Sequence, residues 1–172
     1  MIAGVIVFTV ILVVFSLLFL LSRSKYGDYI EPLDKKEYKL RSFIPVGLFI
    51  LDIIKYKYTS KYDRRLQSKV AELKGMKYSM YYLQIHHANK IVLMILILLL
   101  FSLLSAATQD VATVVFGILV VAAIPFFMDR ELTEKVNRRR LSIQIDFPDF
   151  LNKLILLVNA GMTVSRAWEK SV

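Results

Sequence analysis

The stretch "IVLMILILLLFSLLSAATQDVATVVFGILVVAAIPFFM", residues 91–128, decides the fold. It reads as two apolar runs, Ile91–Ala107 and Val111–Met128, separated by "TQD", Thr108 to Asp110. No Asp, Glu, Lys, Arg or His lies inside either run. A hydrocarbon core of roughly 30 Å takes about 20 helical residues. At 17 and 18 residues the runs are short spans, accommodated by slight bilayer thinning or by snorkelling at their ends. Three polar residues suffice to turn a helical hairpin at the membrane surface.

Working outward, Ile2–Leu21 is a third run, uncharged, with Thr9 and Ser16 as its polar members. No basic residue precedes it and no small-residue cleavage site follows, so it reads as a retained anchor and not as a signal peptide. The distribution of charge orients the three spans. Of 23 Lys and Arg, 15 lie between Ser22 and Lys90 and eight follow Met128. None lies before Ile2 or in the "TQD" turn. The positive-inside rule then puts the N-terminus outside and both long polar segments in the cytoplasm. The same distribution accounts for the net charge of +9 as topology and headgroup contact, against nucleic-acid binding. The triple Arg in "NRRRL" (Asn137 to Leu141) follows the same logic. The absence of cysteine excludes disulfides and thiolate chemistry.

Segment 22–90 opens with a polar linker that Gly27 and Pro32 keep from being one helix. "SFIPVGLFILDIIKYKY", near 43–57, is too short to span. It reads as an amphipathic helix lying among the headgroups, with a buried helix of the loop's own fold as the competing reading. Tyr62, Leu66, Val70 and Leu73 share one helical face. "MKYSMYYLQIHHANK" runs on as a helix into the second span. Adjacent His86 and His87 point about 100° apart on a helix and cannot chelate one metal together. They read as a headgroup-level polar pair.

Segment 129–172 contains "IDFPDFLNKLILLVNAGMTVSRAW". Its longest apolar run, Leu154–Val158, is far too short for a span. Phe147, Phe150, Leu151, Leu154, Leu157 and Val158 instead form one face of an amphipathic helix. Pro148 suits the first turn of that helix and Asp146 its N-cap. Gly161 suits the left-handed position after its last turn. Thr163 then caps a second helix, with Met162 and Ala167 as a hydrophobic staple. One helix and a stub cannot bury enough surface to stand alone, so the sequence reads as the front portion of a longer protein.

These residues carry a resemblance. "FPDFLNKLILLVNAGMTVSRAWEK" resembles the start of the cytoplasmic domain of the type II secretion system F family, in its tight-adherence (Flp) pilus branch. Phe147-Pro148 opens the first helix, Leu151 and Leu154 follow at the family's spacing, and Ala160-Gly161 closes it. Met162, Thr163 and Ala167 match the start of the second. The resemblance implies an all-α, multi-pass helical membrane protein. It would have an N-terminal span (1–21), a cytoplasmic helical segment (22–90), a two-span hairpin (91–128) and the first helices of a cytoplasmic bundle (129–172). It implies an inner-membrane platform, homo- or hetero-oligomeric, that couples a hexameric cytosolic secretion ATPase to export and assembly of pilins beside a paired platform subunit. Such a platform performs no chemistry of its own.

The residues agree with that expectation: no catalytic constellation, cofactor motif or metal-ligand spacing stands out. A membrane-anchored signalling or interaction subunit is the alternative. A transporter or channel component is weakened by the lack of charge inside the runs.

Overall fold

In the computed structural model the described residues are 2–34, 37–108 and 110–171. Among them six α-helices and three short 3₁₀ turns form an all-α membrane protein, without strands. The helices are α1 (Ile2–Tyr26), α2 (Ile44–Ile53), α3 (Lys61–Lys74), α4 (Ser79–Thr108), α5 (Val111–Asn159) and α6 (Val164–Ser171). Three of them, α1, α4 and α5, are long and apolar enough to cross a bilayer. Their apolar side chains, Leu20, Leu100 and Phe116 among them, are exposed, as expected of surfaces meant for lipid. The chain divides into two compact units, Met1–Glu131 and Leu132–Val172.

In the first unit α4 is the post against which α1, α2 and α3 pack. It begins well before the apolar run, and its early turns, residues 79–90, carry the core of the polar segment. Ile85 and Ala88 from α4 meet Ile44, Leu48 and Leu51 from α2, closed by Ile30 and Leu33. Asp52 at the end of α2 accepts hydrogen bonds from Lys25 (2.7 Å) and Tyr26 (2.9 Å), tying α2 to the end of α1. Asp110 starts α5: its carboxylate accepts from the Ala112 N–H at 3.0 Å, the N-cap arrangement that closes the hairpin turn.

The helix within residues 43–57 is shorter, Ile44–Ile53, and contributes to the core of the polar segment: Ile44 and Val46 are fully buried, Leu48 and Leu51 nearly so. Pro45 sits in the first turn, where it breaks nothing. Gly47 permits the close crossing, because a Cβ there would stand 2.2 Å from the Ala88 carbonyl oxygen.

In the second unit the expected helix start at Asp146–Pro148 is not found. α5 runs through both residues. The segment from Asp129 to Ile145 contains no Gly or Pro, so nothing halts the helix that enters it. Residues 141–149 are exposed, so water can hydrate the carbonyl that Pro148 leaves without an N–H. Asp146 is therefore mid-helix, and its carboxylate accepts from the Ser142 hydroxyl one turn earlier at 2.9 Å.

The end of α5 follows expectation. Gly161 has φ of +89°. The Gly161 N–H donates to the Val158 carbonyl and the Met162 N–H to the Leu157 carbonyl, the paired bonds of a Schellman cap. Thr163 precedes α6 and its carbonyl accepts from the Ala167 N–H. Ala167 is fully buried, and Phe150 meets Trp168 edge-on at 5.1 Å.

Candidate functional site

The strongest concentration of polar chemistry in the first unit lies where α3, α4 and α5 meet. Lys90 stands at the last position of α4 before the apolar run, and Asp129 is the first residue after the apolar run of α5. The Lys90 ammonium donates to the Asp129 carboxylate and to the Tyr62 hydroxyl at 2.6 Å. The Tyr62 hydroxyl in turn donates to the other Asp129 oxygen. Three helices thus contribute one corner each to a closed triangle. His86, one turn before Lys90, adds a contact from Nε2 to Asp129 at 3.2 Å.

Lys90 is only 5% exposed. A buried ammonium is tolerated where a counter-charge and acceptors surround it, and Asp129 and Tyr62 supply both. Burial, then the hydrogen bond to Asp129, pushes the Tyr62 phenol well above its ordinary range. At neutral pH the phenol stays protonated, and it donates to the carboxylate while it accepts from the ammonium.

A second group adjoins the triangle. Ser60 and Asp63 form a capping box at the start of α3: the Ser60 hydroxyl accepts from the Tyr62 N–H and Asp63 accepts from the Ser60 N–H. Asp63 is completely buried. Its carboxylate also accepts from the Tyr56 hydroxyl at 3.1 Å and faces His87 Nε2 at 3.2 Å. That contact lies outside hydrogen-bonding geometry, leaving His87 Nε2 buried without a bond. The rings of Tyr56, Tyr58 and Tyr62 surround His87 at 5.5–6.3 Å between centroids. Burial raises the Tyr56 phenol and pushes that of Tyr58 up to about 12.

The two histidines diverge, as adjacent helical residues must, and each meets a carboxylate within the fold. His86 turns to Asp129 and His87 to Asp63, and both are largely buried. Among the described residues no three His, Asp or Glu side chains converge as a metal site. No family model, curated protein or solved structure matches the chain.

The residues singled out by the sequence motif all lie in the second unit. Phe147, Pro148 and Leu151 are exposed, Leu154 is half-buried, and Ala160, Gly161, Met162 and Thr163 form the turn that leads to buried Ala167. The triangle of Tyr62, Lys90 and Asp129 was not anticipated. A signal existed: Lys90 lies 18 residues before Thr108 and Asp129 lies 18 residues after Val111. A hairpin folded at "TQD" brings two such positions to the same depth with opposite charges.

Proposed function

We propose that this chain is a platform subunit of a pilus-type secretion machine in a bacterial cytoplasmic membrane. Its N-terminus lies outside, and its polar segments receive force from a cytosolic secretion ATPase and pass it to pilins held in the bilayer. The observation that carries this reading is the triangle of Tyr62, Lys90 and Asp129. It ties α3, which belongs to the polar segment, to the bases of both hairpin helices. A push on α3 therefore reaches two spans directly, whereas a loosely tethered loop would absorb it. Arg64 and Arg65 stand exposed on α3, placed to meet an acidic partner surface. The motif of residues 147–167 supports the same family.

The reading is tested in the host cell. Deleting the coding region should remove surface pili, and a photo-crosslinker at Arg65 should capture a hexameric ATPase. Normal piliation of the deletion strain overturns the proposal.

A further inference from the structure

A cavity of about 530 Å³ opens beside the end of α1, within the size range of ligand sites. Its depth is set by aromatic packing. Phe43 lies against Phe15 and Phe19 at 5.8 and 5.6 Å, and these two belong to the apolar part of α1. Phe19 lines the cavity, and Arg23, just past the apolar run, stands one turn further along. The cavity therefore sits at headgroup level, with an apolar wall on its membrane side.

The charged lining is mixed. Arg23, Lys39 and Arg41 contribute cations, and Asp28 and Glu31 contribute carboxylates. Arg41 is fixed in place: its Nε donates to the Ile30 carbonyl at 3.0 Å and its Nη2 to the Glu31 carbonyl at 2.8 Å. A guanidinium has five N–H groups, so it keeps others for an incoming anion. Cations alone would suit any anionic lipid. Cations and carboxylates lining one cavity suit a headgroup that carries a phosphate and an ammonium together. Guanidinium pairs well with phosphate oxygens, and a carboxylate is the matching acceptor for a primary amine.

We propose that this cavity binds the headgroup of an aminophospholipid such as phosphatidylethanolamine. The phosphate lies toward Arg23 and Arg41 and the ammonium toward Asp28 and Glu31. The acyl chains run down the Phe19 and Phe43 side of α1.

The test is native mass spectrometry of the full chain released from detergent with added phosphatidylethanolamine, phosphatidylglycerol or phosphatidylcholine. The expected result is retention of the ethanolamine lipid about fivefold above the other two, as about 1 kcal/mol of selectivity gives. Glu31→Gln should erase the preference over phosphatidylglycerol while total lipid retention persists. Arg23→Gln should reduce retention of all three lipids, because each carries the phosphate. Both residues are exposed, so folding is not at stake, and an unchanged circular dichroism spectrum checks this. Equal retention of all three lipids by the parent chain overturns the proposal. So does a preference that neither substitution alters, or equally tight binding of water-soluble phosphoethanolamine, which would remove the bilayer as the source.

Discussion

Replacing Asp129 with alanine should release α3 from the membrane helices. The substitution leaves the Lys90 ammonium, 5% exposed, without its counter-charge, and leaves the Tyr62 hydroxyl without its acceptor. Breaking one side of a buried ion pair costs about 3–5 kcal/mol. The Asp129 side chain is 22% exposed, so water screens part of the pair and the cost falls at about 3 kcal/mol. The loss is local, because buried Leu66 and Val70 and the Gln67–Ser79 hydrogen bond still hold α3 against α4 once the triangle is gone. Hydrogen exchange in lipid nanodiscs reads it directly: amides around residues 66–70 should exchange roughly 150-fold faster, the factor that about 3 kcal/mol implies. The double variant Lys90→Met with Asp129→Leu removes both charges and should recover most of that protection, since an apolar pair of similar volume replaces a buried ion pair at little cost. Exchange within twofold of the parent in Asp129→Ala would refute the reasoning. So would a double variant as unprotected as the two singles added together.

Three further outcomes follow from the geometry. Gly47→Ala should destabilise the first unit by about 3 kcal/mol, the upper range for overpacking; because the clash is with the main chain of Ala88, Ala88→Gly should fail to rescue it in thermal melts. Tyr58 should resist ionisation until about pH 12 in a phenolate absorbance titration. Its raised pKa stabilises the fold fully below the unfolded phenol value of about 10, and that contribution disappears as pH climbs through the folded value. The chain lacks cysteine, so single cysteines report orientation cleanly: Lys57→Cys and Arg138→Cys should label only after the membrane is permeabilised, and Asp110→Cys should label from outside intact cells.

Much of the architecture was legible because span length and hydropathy act over tens of residues. The three apolar runs became α1 and the membrane parts of α4 and α5, and Gly161 took the positive φ that its place after an apolar helix demanded. The misreadings are local. Pro148 looked like a helix start because proline favours first turns, yet proline only weakens a helix already in progress, and the exposed run from Asp129 carries the helix through it. How far residues 43–57 pack within the loop's own fold was left open by the sequence. Which apolar face is covered depends on a partner helix, and the small pair Gly47 and Ala88 that admits that partner lies 41 positions apart in the sequence. Lys90 and Asp129 were hidden for a related reason. Each alone is an ordinary span-flanking charge, and their relation exists only once the hairpin fixes their depth.

That relation also bears on what the triangle is for. A buried ion pair gains little over an apolar pair of the same volume, so stability alone does not account for Lys90 and Asp129. An apolar contact between two helices tolerates sliding by a turn, whereas a directed set of hydrogen bonds among an ammonium, a phenol and a carboxylate is satisfied at one register. If α4 shifted by one turn against α5, His86 or Met94 would replace Lys90 at the level of Asp129, and the carboxylate would lose its ammonium partner. The arrangement therefore fixes the hairpin's register and the docking site of α3 together. Under the proposed platform role, that property matters more than extra stability, because motion applied at α3 is lost wherever its contacts can slip.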